Sequence, residues 1–138
     1  MRERTNTILD LDAPVAGNGL NRIGHMLLGW ARSDWLPGAR SAGRKFRRRF
    51  AGRRFRVRCR AGFVIEGVIG DSVETACAVR REFEPGLSRL LAVQAPRLST
   101  FVDLGCNVGY FTCLAAFANP AARILAVDAN PAMVEACR

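Results

Sequence analysis

Apolar and polar positions in the first half of the chain predict one helix and one hairpin. Apolar residues recur at helical spacing over residues 20–32, which predicts an amphipathic helix that packs on its own domain or lies on a membrane surface. Residues 53–69 alternate with a period of two around a turn at Ala61 and Gly62, which predicts a β-hairpin with arginines on its outer face. Residues 1–19 carry neither pattern and are predicted to be irregular. The helical stripe consists of Leu20, Ile23, Met26, Leu27 and Trp30.

Two helices are predicted between the hairpin and the next strand. Asp71 and Glu74 have the spacing of a capping box, which predicts a helix over about residues 72–83. Pro85 ends that helix and suits the first turn of another, which extends to Pro96. The apolar stripe of this second helix is formed by Leu87, Leu90 and Leu91.

The last third of the chain alternates strands with helices. Buried apolar strands are predicted over residues 100–104 and residues 123–127. A glycine-containing turn and a helix over about residues 109–118 separate them, and Pro131 opens a last helix. Strand, helix, strand, helix is the beginning of an α/β fold with a doubly wound parallel sheet.

Composition limits the class of protein. The chain has 138 residues, of which 49% are hydrophobic and 24% are charged, and this is typical of one folded domain. The net charge of +9 has a local origin, because residues 40–60 contain eleven basic residues and no acidic one. A protein that is basic over its whole surface is therefore excluded.

Cysteine and histidine usage argues against a metal site and against a disulfide framework. The five cysteines include no Cys-x-x-Cys pair, and His25 is the single histidine. We therefore expect no metal and a reducing, cytoplasmic compartment. No apolar run reaches the roughly 18 residues of a membrane span, so we expect no transmembrane segment. The N-terminus also lacks the apolar stretch of a secretory signal.

The stretch from Phe101 to Thr112 carries the most specific chemistry. A strand delivers the chain to a tight turn at Gly105, where the absence of a Cβ atom lets a ligand approach the backbone. Asn107 tolerates unusual dihedral angles, and Gly109 lets the next helix begin close to the sheet. The amides at that helix N-terminus favour a carboxylate or a phosphate, at the edge of the sheet where α/β proteins bind ligands.

Asp128 supplies the second element of the predicted site. It ends the strand that follows the helix, where a carboxylate can accept hydrogen bonds from both hydroxyls of a ribose. A dinucleotide fingerprint needs glycine where this chain has Asn107 and Tyr110, so a nicotinamide-dependent dehydrogenase fits poorly. The pattern therefore predicts a site for another nucleoside-containing cofactor.

The order of acids and glycines resembles motif I of class I S-adenosylmethionine-dependent methyltransferases. That motif has the pattern D-x-G-x-N-x-G, here from Asp103 to Gly109, followed by an acid after the next strand. The methionine part of this cofactor carries an ammonium and a carboxylate and has no pyrophosphate. An acid beside backbone amides suits both of these charges.

Longer stretches resemble the FkbM family of these methyltransferases. The similar segments are residues 102–112, residues 127–131 and the Phe-Glu-Pro of residues 83–85, together with the hairpin before it. The chain departs from the family pattern at Asp128, where glutamate is more common. It also departs at Cys106, where a smaller residue, commonly alanine, is usual.

The resemblance implies methyl transfer from S-adenosylmethionine to an oxygen of a small molecule or glycan. By position, Asp103 would lie near the methionine ammonium, directly or through water, and Asp128 would hold the ribose. Ala129 would line the adenine edge, and Glu84 would reach the methionine end of the cofactor. Further cofactor contacts, mostly from the backbone, would come from Gly105, Cys106, Asn107 and Gly109.

Each of these acids also has a structural interpretation. Asp103 could cap a turn, and Asp128 could be the N-cap of the last helix. Glu84 could cap the helix that Pro85 opens. The cysteines of this part of the chain are interpreted as small core residues; they are Cys106, Cys113 and Cys137.

The predicted fold is the N-terminal part of a Rossmann-like class I methyltransferase sheet, preceded by a β-hairpin and helices. The resemblance covers about residues 50–138, and the remaining strands of such a sheet do not follow. We expect an N-terminal extension over residues 1–49, the hairpin with two helices over residues 50–98, and the start of the S-adenosylmethionine-binding domain over residues 99–138. We therefore expect a partial chain that is inactive alone, with no assignable catalytic base or oligomeric state.

A second class of function is an arginine-rich nucleic-acid-binding protein, or an RNA methyltransferase. The basic residues of segment 40–60 could contact several phosphates, with Phe46, Phe50 and Phe55 interleaved for stacking on bases. No recognition motif frames these arginines. A solvated basic face, or an arm for membrane lipids or acidic partners, also explains them.

Overall fold

The computed structural model shows a mixed α/β protein. No helix among the described residues combines the length and the apolar character that crossing a bilayer requires. The contacts divide the chain into two units, which are residues 1–58 with 66–81 and residues 59–65 with 82–138. The structure describes residues 8–13, 19–33, 35–70 and 72–137.

A three-stranded sheet has the order β1-β2-β3 and contains the predicted hairpin. Its strands are β1 (Leu9–Asp10), β2 (Arg54–Arg58) and β3 (Val64–Val68), and β1 runs parallel to β2. In β2, Phe55 and Val57 are buried and the arginines between them are exposed, as the period of two predicts. The prediction of a hairpin over residues 53–69 with arginine on the outer face is thereby confirmed.

The prediction that the N-terminal segment is irregular is wrong at β1. Leu9 and Leu11 are buried, and the N–H of Leu11 donates to the carbonyl of Arg56 at 2.9 Å. A strand of two residues has no periodicity, so no pattern in the sequence announces it. Residues 1–7 and 14–18 of that segment lie outside the described residues.

The predicted amphipathic helix is α1 (Arg22–Arg32), which begins after the N-cap Asn21. The side-chain carbonyl of Asn21 accepts from the N–H of Gly24 at 2.9 Å, as an N-cap does. The predicted stripe is only partly buried: Leu20 and Leu27 belong to the core, whereas Ile23 and Met26 are 53% and 62% exposed. The residues that α1 buries are Gly24, Leu27, Leu28 and Ala31.

A second helix, α2 (Ala39–Phe50), occupies the first half of the arginine-rich segment, where the charge pattern predicts no element. Its signal is a set of apolar residues at intervals of four, Ala42, Phe46 and Phe50, all of which are buried. The rings of Phe46 and Phe50 lie 4.8 Å apart between centroids. One face of the basic segment is therefore part of the core.

The third helix, α3 (Ser72–Arg80), ends before the predicted residue 83. Arg81 has a φ of 63°, and the left-handed region cannot continue an α-helix. Glu74 Oε1 accepts from the N–H of Val68 at 3.0 Å, which joins the start of α3 to β3. The other residue of the predicted capping box, Asp71, lies outside the described residues.

Arg32 joins α1 to its neighbours in the first unit. Its guanidinium donates to the carbonyls of Leu11, Ala78 and Val79 at 3.1–3.2 Å. Burial lowers the pKa of this guanidinium, and the nearby charge of Arg81 lowers it further. The hydrogen bonds compensate for part of this cost, because a buried cation without partners is far less stable.

The second unit contains a parallel pair of strands. They are β4 (Thr100–Leu104) and β5 (Arg123–Val127), and α5 (Tyr110–Ala118) connects them. α4 (Pro85–Gln94) packs against α5, and α6 (Pro131–Ala136) follows β5. The predicted order strand, helix, strand, helix is confirmed, and it brings the ends of β4 and β5 to one edge of the sheet.

The prediction that β4 and β5 are buried is wrong on one face. Val102, Leu104, Leu125 and Val127 are 43–78% exposed, whereas the residues between them are half-buried. Both strands are mostly apolar and show no alternation with polar residues, which suggests burial on two faces. In the structure, α5 packs on one face only.

The prediction for α4 is correct at Pro85 and wrong for its apolar stripe. Leu91 is buried, but Leu87 and Leu90 are 44% and 57% exposed. The second buried residue of the helix is Ser88, whose Oγ donates to the carbonyl of Phe83 at 2.5 Å. A hydroxyl with an internal partner can be buried at low cost, so a polar residue occupies an inward position that the apolar pattern does not reveal.

Candidate functional site

The turn between β4 and α5 has three positive backbone angles. Gly105, Asn107 and Gly109 have φ values of 82°, 48° and 78°, which glycine and asparagine adopt most readily. The N–H groups of Gly105 and Cys106 donate to the carbonyl of Val127 at 2.8 and 3.1 Å. These bonds hold the turn against the end of β5. We call residues 105–109 the glycine turn.

Asp128 lies against the glycine turn. Its Oδ2 accepts from the N–H of Asn107 at 2.9 Å, and its Oδ1 accepts from the N–H of Asn130 at 2.8 Å. The hydrogen bonds from Asn130 and Asn107 hold the pKa of Asp128 below its ordinary value, so the group is a carboxylate at neutral pH. A carboxylate has about four acceptor positions, so about two remain for a ligand.

The structure also tests the capping interpretations. Asn130 is the N-cap of α6, since its side chain accepts from the N–H of Ala132 at 3.0 Å, so the interpretation of Asp128 as that cap is wrong. Glu84 occupies the N-cap position of α4 with a φ of 41°, but its side chain makes no capping hydrogen bond. A structural role as a helix cap therefore explains neither carboxylate.

Asp103 lies two residues before Gly105 and is half-buried. Its Oδ2 accepts a hydrogen bond of 2.6 Å from the hydroxyl of Thr112, in the first turn of α5. The acid thus joins β4 to α5 and does not cap a turn. Thr112 is absent from the predicted site residues. It lies nine positions after Asp103 and across a turn, and no helical or strand periodicity relates residues at that separation.

Cys106 is the buried residue of the glycine turn, at 5% exposure. Burial and the neighbouring thiol of Cys137 raise the pKa of Cys106 to about 11, and the carboxylates of Asp103 and Asp128 add to the effect. Both carboxylates therefore lie near this thiol. The interpretation of Cys106 as a core residue is confirmed, whereas Cys113 and Cys137 are only half-buried.

Gly109 has a neighbour that the sequence does not indicate. A Cβ atom at this position would lie 2.5 Å from Sγ of Cys137, just after α6. The three atoms nearest to this position all belong to Cys137, so Gly109 also makes room for the residue that follows α6. No regularity of the sequence relates Gly109 to Cys137, because their contact depends on how α6 packs.

The open part of the glycine turn lies over Gly105. A Cβ atom built there would meet no atom within 4 Å, so a ligand has access to the backbone. α5 begins after Gly109, which makes no side-chain capping hydrogen bond, so no side chain at the cap position covers the N-terminus of the helix. Ala129, predicted to line the adenine edge, is exposed beside Asp128.

Glu84 is less well connected to the glycine turn. Its neighbour Phe83 packs on the start of α5, with ring centroids 6.1 Å from Tyr110 and 5.8 Å from Phe111. Glu84 itself is exposed, and no contact in the described part of the chain brings its side chain to Gly105. Its role toward a cofactor stays a prediction.

The arginine-rich segment lacks the stacking residues that its nucleic-acid interpretation needs. Phe46, Phe50 and Phe55 are 0%, 6% and 1% exposed, so they belong to the core and cannot meet bases. On the outer face of β2, Arg54 and Arg56 each lie 3.9 Å from a carboxylate oxygen of Glu66. The aromatic part of that interpretation is therefore wrong.

The arrangement at the glycine turn can hold a molecule that has vicinal hydroxyls and a charged group. Within the described ranges, no group of three or more histidine, cysteine or acidic side chains is arranged to bind a metal ion. Comparisons with protein-family models, with curated proteins and with solved structures find no match to this chain. The geometry of the glycine turn and of Asp128 is therefore what supports a functional proposal.

Proposed function

We propose that the glycine turn and Asp128 bind the methyl donor of an S-adenosylmethionine-dependent methyltransferase. The observation that carries this proposal is the 2.9 Å hydrogen bond from the N–H of Asn107 to Oδ2 of Asp128. It brings the carboxylate predicted to hold a ribose to the turn predicted to hold the methionine part. Both parts of one cofactor then have partners at the carboxyl edge of β4 and β5.

The described residues fit this cofactor. Asp128 keeps acceptor positions for the 2′ and 3′ hydroxyls of the ribose. The space over Gly105 and the uncapped amides of α5 suit the carboxylate of the methionine part. Asp103 uses Oδ2 for Thr112, which leaves Oδ1 to attract the ammonium directly or through a water.

In such a methyl transfer, the cofactor and the protein have separate roles. S-adenosylmethionine, when bound, supplies a methyl group made electrophilic by a sulfonium. The protein must then align that carbon with the acceptor oxygen and orient or deprotonate the acceptor hydroxyl. Asp128 and the glycine turn perform the alignment on the donor side. The resemblance to the FkbM family supports a hydroxyl of a small molecule or glycan as the acceptor, and we assign no base.

Calorimetric titration of the chain with S-adenosylhomocysteine tests the proposal. We expect saturable binding at one site, and no binding of NAD at the same concentrations, because the glycine turn lacks the second and third glycines of a dinucleotide site. Circular dichroism on the same sample establishes that the chain is folded. A folded chain that binds NAD, or that binds neither compound, would overturn the proposal.

A further inference from the structure

A groove in the first unit is lined by four arginines. It has a volume of about 530 Å³ and lies between α2 and α3, beside the end of α1. Gly43, Ala31 and Val79 line the floor of the groove. A Cβ atom built at Gly43 would lie 3.8 Å from side-chain atoms of both neighbours. We call this feature the arginine groove. Its arginines are Arg40, Arg44, Arg47 and Arg80.

Three of the four arginines in the groove, those on α2, have no acidic partner among the described residues. Arg40, Arg44 and Arg47 are exposed, and none of them forms an ion pair with a described residue. No described residue that lines the groove is acidic, and α2 contains no acidic residue. Like charges one helical turn apart repel each other, so the row of arginines is more stable when an anion occupies the groove.

The spacing of the arginines indicates the size of that anion. Positions 40, 44 and 47 lie on one face of α2, and a rise of 1.5 Å per residue spreads them over about 10 Å. Each guanidinium can bind one phosphate through two parallel hydrogen bonds. A row of this length therefore suits a ligand with more than one phosphate.

Two further groups add donors to the groove. α2 begins at Ala39 in its wall and has no side-chain cap, which leaves the first amides of the helix for a ligand or water. Thr75 also lines the groove, and its buried Oγ1 has no hydrogen-bond partner in the described part of the chain. Buried hydroxyls normally have partners, and a rotation of the Thr75 side chain would turn this one toward an anionic oxygen in the groove.

We propose that the arginine groove binds a compact ligand that carries at least two phosphate groups. A small phosphorylated compound fits better than a nucleic-acid strand, because the aromatic residues of this segment are buried and leave no surface for stacking on bases. The proposal does not depend on the methyl-donor site, whose residues belong to the other unit.

Titration with inorganic pyrophosphate at low ionic strength tests this site, followed by calorimetry and by the shifts of backbone amide resonances. We expect binding at one site, with the largest shifts at Gly43, Thr75 and Ala76. The double variant Arg40→Ala/Arg44→Ala should bind at least tenfold more weakly, because it removes two charge-assisted contacts. Monophosphate should bind more weakly than pyrophosphate to the unaltered chain.

The matched control is Arg48→Ala/Arg49→Ala, which removes the same charge from another face of α2. Arg48 and Arg49 line a separate pocket, with Leu27 and Lys45, so this control should lose less than about twofold in affinity. Equal losses in both variants would show a general effect of charge and would overturn the proposal. Resonance shifts spread along the whole helix would overturn it too.

Two further arms complete the test. Thr75→Val keeps the shape of the side chain, and we expect it to bind pyrophosphate a few-fold more weakly while its melting temperature is equal or higher, because a buried hydroxyl without a partner costs free energy. An unchanged affinity of this variant contradicts the role of the hydroxyl and limits the site to its arginines. A short single-stranded RNA that binds more tightly than pyrophosphate, and that both arginine variants weaken equally, would replace the proposed ligand by a nucleic acid.

Discussion

The N–H of Asn107 donates to Oδ2 of Asp128 across 2.9 Å, although the two residues are 21 positions apart. Parallel pairing explains this contact, because Leu104 lies opposite Val127 and both strands end at the same edge. The residues that follow each strand are then neighbours. The turn and the acid form one site as a consequence of this register, which a slip by one residue would destroy.

Replacing Asp128 by alanine should weaken the binding of S-adenosylhomocysteine at least tenfold. Hydrogen bonds to a charged acceptor are stronger than those between neutral groups, and the variant removes the acceptor for two ribose hydroxyls. Glu135→Ala is the control, since it removes an exposed carboxylate of α6 that has no part in the proposed site. Equal affinity of Asp128→Ala and the unaltered chain, measured by calorimetry, would contradict the ribose role.

The affinity for S-adenosylhomocysteine should decrease only at acidic pH, where Asp128 becomes protonated. The pKa of Asp128 is lowered by its backbone hydrogen bonds, from an ordinary carboxyl value of about 3.9. A carboxyl with a lowered pKa contributes stability and binding above its unfolded value, and both are lost as the pH falls through its folded value. We expect constant affinity from about pH 8 to about pH 5. The carboxyl carbon resonance of Asp128 can be followed in a pH titration. A titration midpoint above the ordinary carboxyl pKa would contradict this account.

Asn107 should tolerate glycine better than alanine. Its φ of 48° lies in the left-handed region, where a residue with an ordinary Cβ loses roughly 1–2 kcal/mol. Both variants remove the side-chain oxygen that accepts from the N–H of Val108 at 2.7 Å, so the difference between them measures the backbone strain alone. Urea denaturation should therefore give about 1 kcal/mol more destabilisation for Asn107→Ala than for Asn107→Gly. The reverse order would show that the turn adopts another conformation.

Gly109→Ala should be destabilising for two separable reasons. The residue has a φ of 78°, and an added Cβ would lie 2.5 Å from Sγ of Cys137. Strain and overpacking of this kind cost about 1–3 kcal/mol. Cys137→Ala in the same chain should recover the steric part of the loss and leave the conformational part. Strict additivity of the two substitutions in thermal unfolding would mean that α6 does not contact the turn.

Cys106 should react slowly with alkylating reagents at neutral pH. Its pKa is raised to about 11, because the buried thiol at 5% exposure disfavours the thiolate that is the nucleophile. Mass spectrometry after iodoacetamide treatment at neutral pH should find Cys137, which is half-buried, modified before Cys106. Early modification of Cys106 in the folded chain would contradict this environment.

The raised pKa of Cys106 also predicts that the folded chain loses stability at alkaline pH. A thiol with a raised pKa contributes stability that is complete below its ordinary value of 9.0 and is lost as the pH rises through about 11. We therefore expect the melting temperature to fall in that window. Cys106→Ala should flatten the fall, and Cys59→Ala, which removes another buried thiol of the same unit, is the comparison. If the melting temperature of Cys106→Ala falls with pH in the same way as that of the unaltered chain, the thiol of Cys106 does not contribute to the loss of stability.

The sequence predicts the elements of the candidate site better than it predicts their surroundings. The limits of β4 and β5 and the left-handed conformation of Asn107 follow from apolar runs, glycine spacing and residue chemistry. The contacts of Thr112 with Asp103 and of Cys137 with Gly109 do not, because each depends on how a helix packs. Local sequence patterns determine where helices and strands form, whereas the packing of these elements determines which side chains from different elements are in contact.

Burial was the property least accessible from the sequence. Met26 and Leu104 have apolar positions that a periodic pattern assigns to the core, yet they are 62% and 78% exposed. The helix α2 shows the opposite error, since its many arginines conceal the buried pair Phe46 and Phe50. A hydrophobic pattern indicates which face can be covered, but only the neighbouring elements determine whether it is.

Backbone resonances recorded while S-adenosylhomocysteine is added provide the most direct test of the proposed methyl-donor site. The account predicts that the amides of Gly105, Asn107, Gly109 and Ala129 shift together and saturate at one equivalent, and that Asp128→Ala abolishes these shifts. Resonances that stay in place at saturating ligand, or shifts that occur only in the first unit, would contradict it.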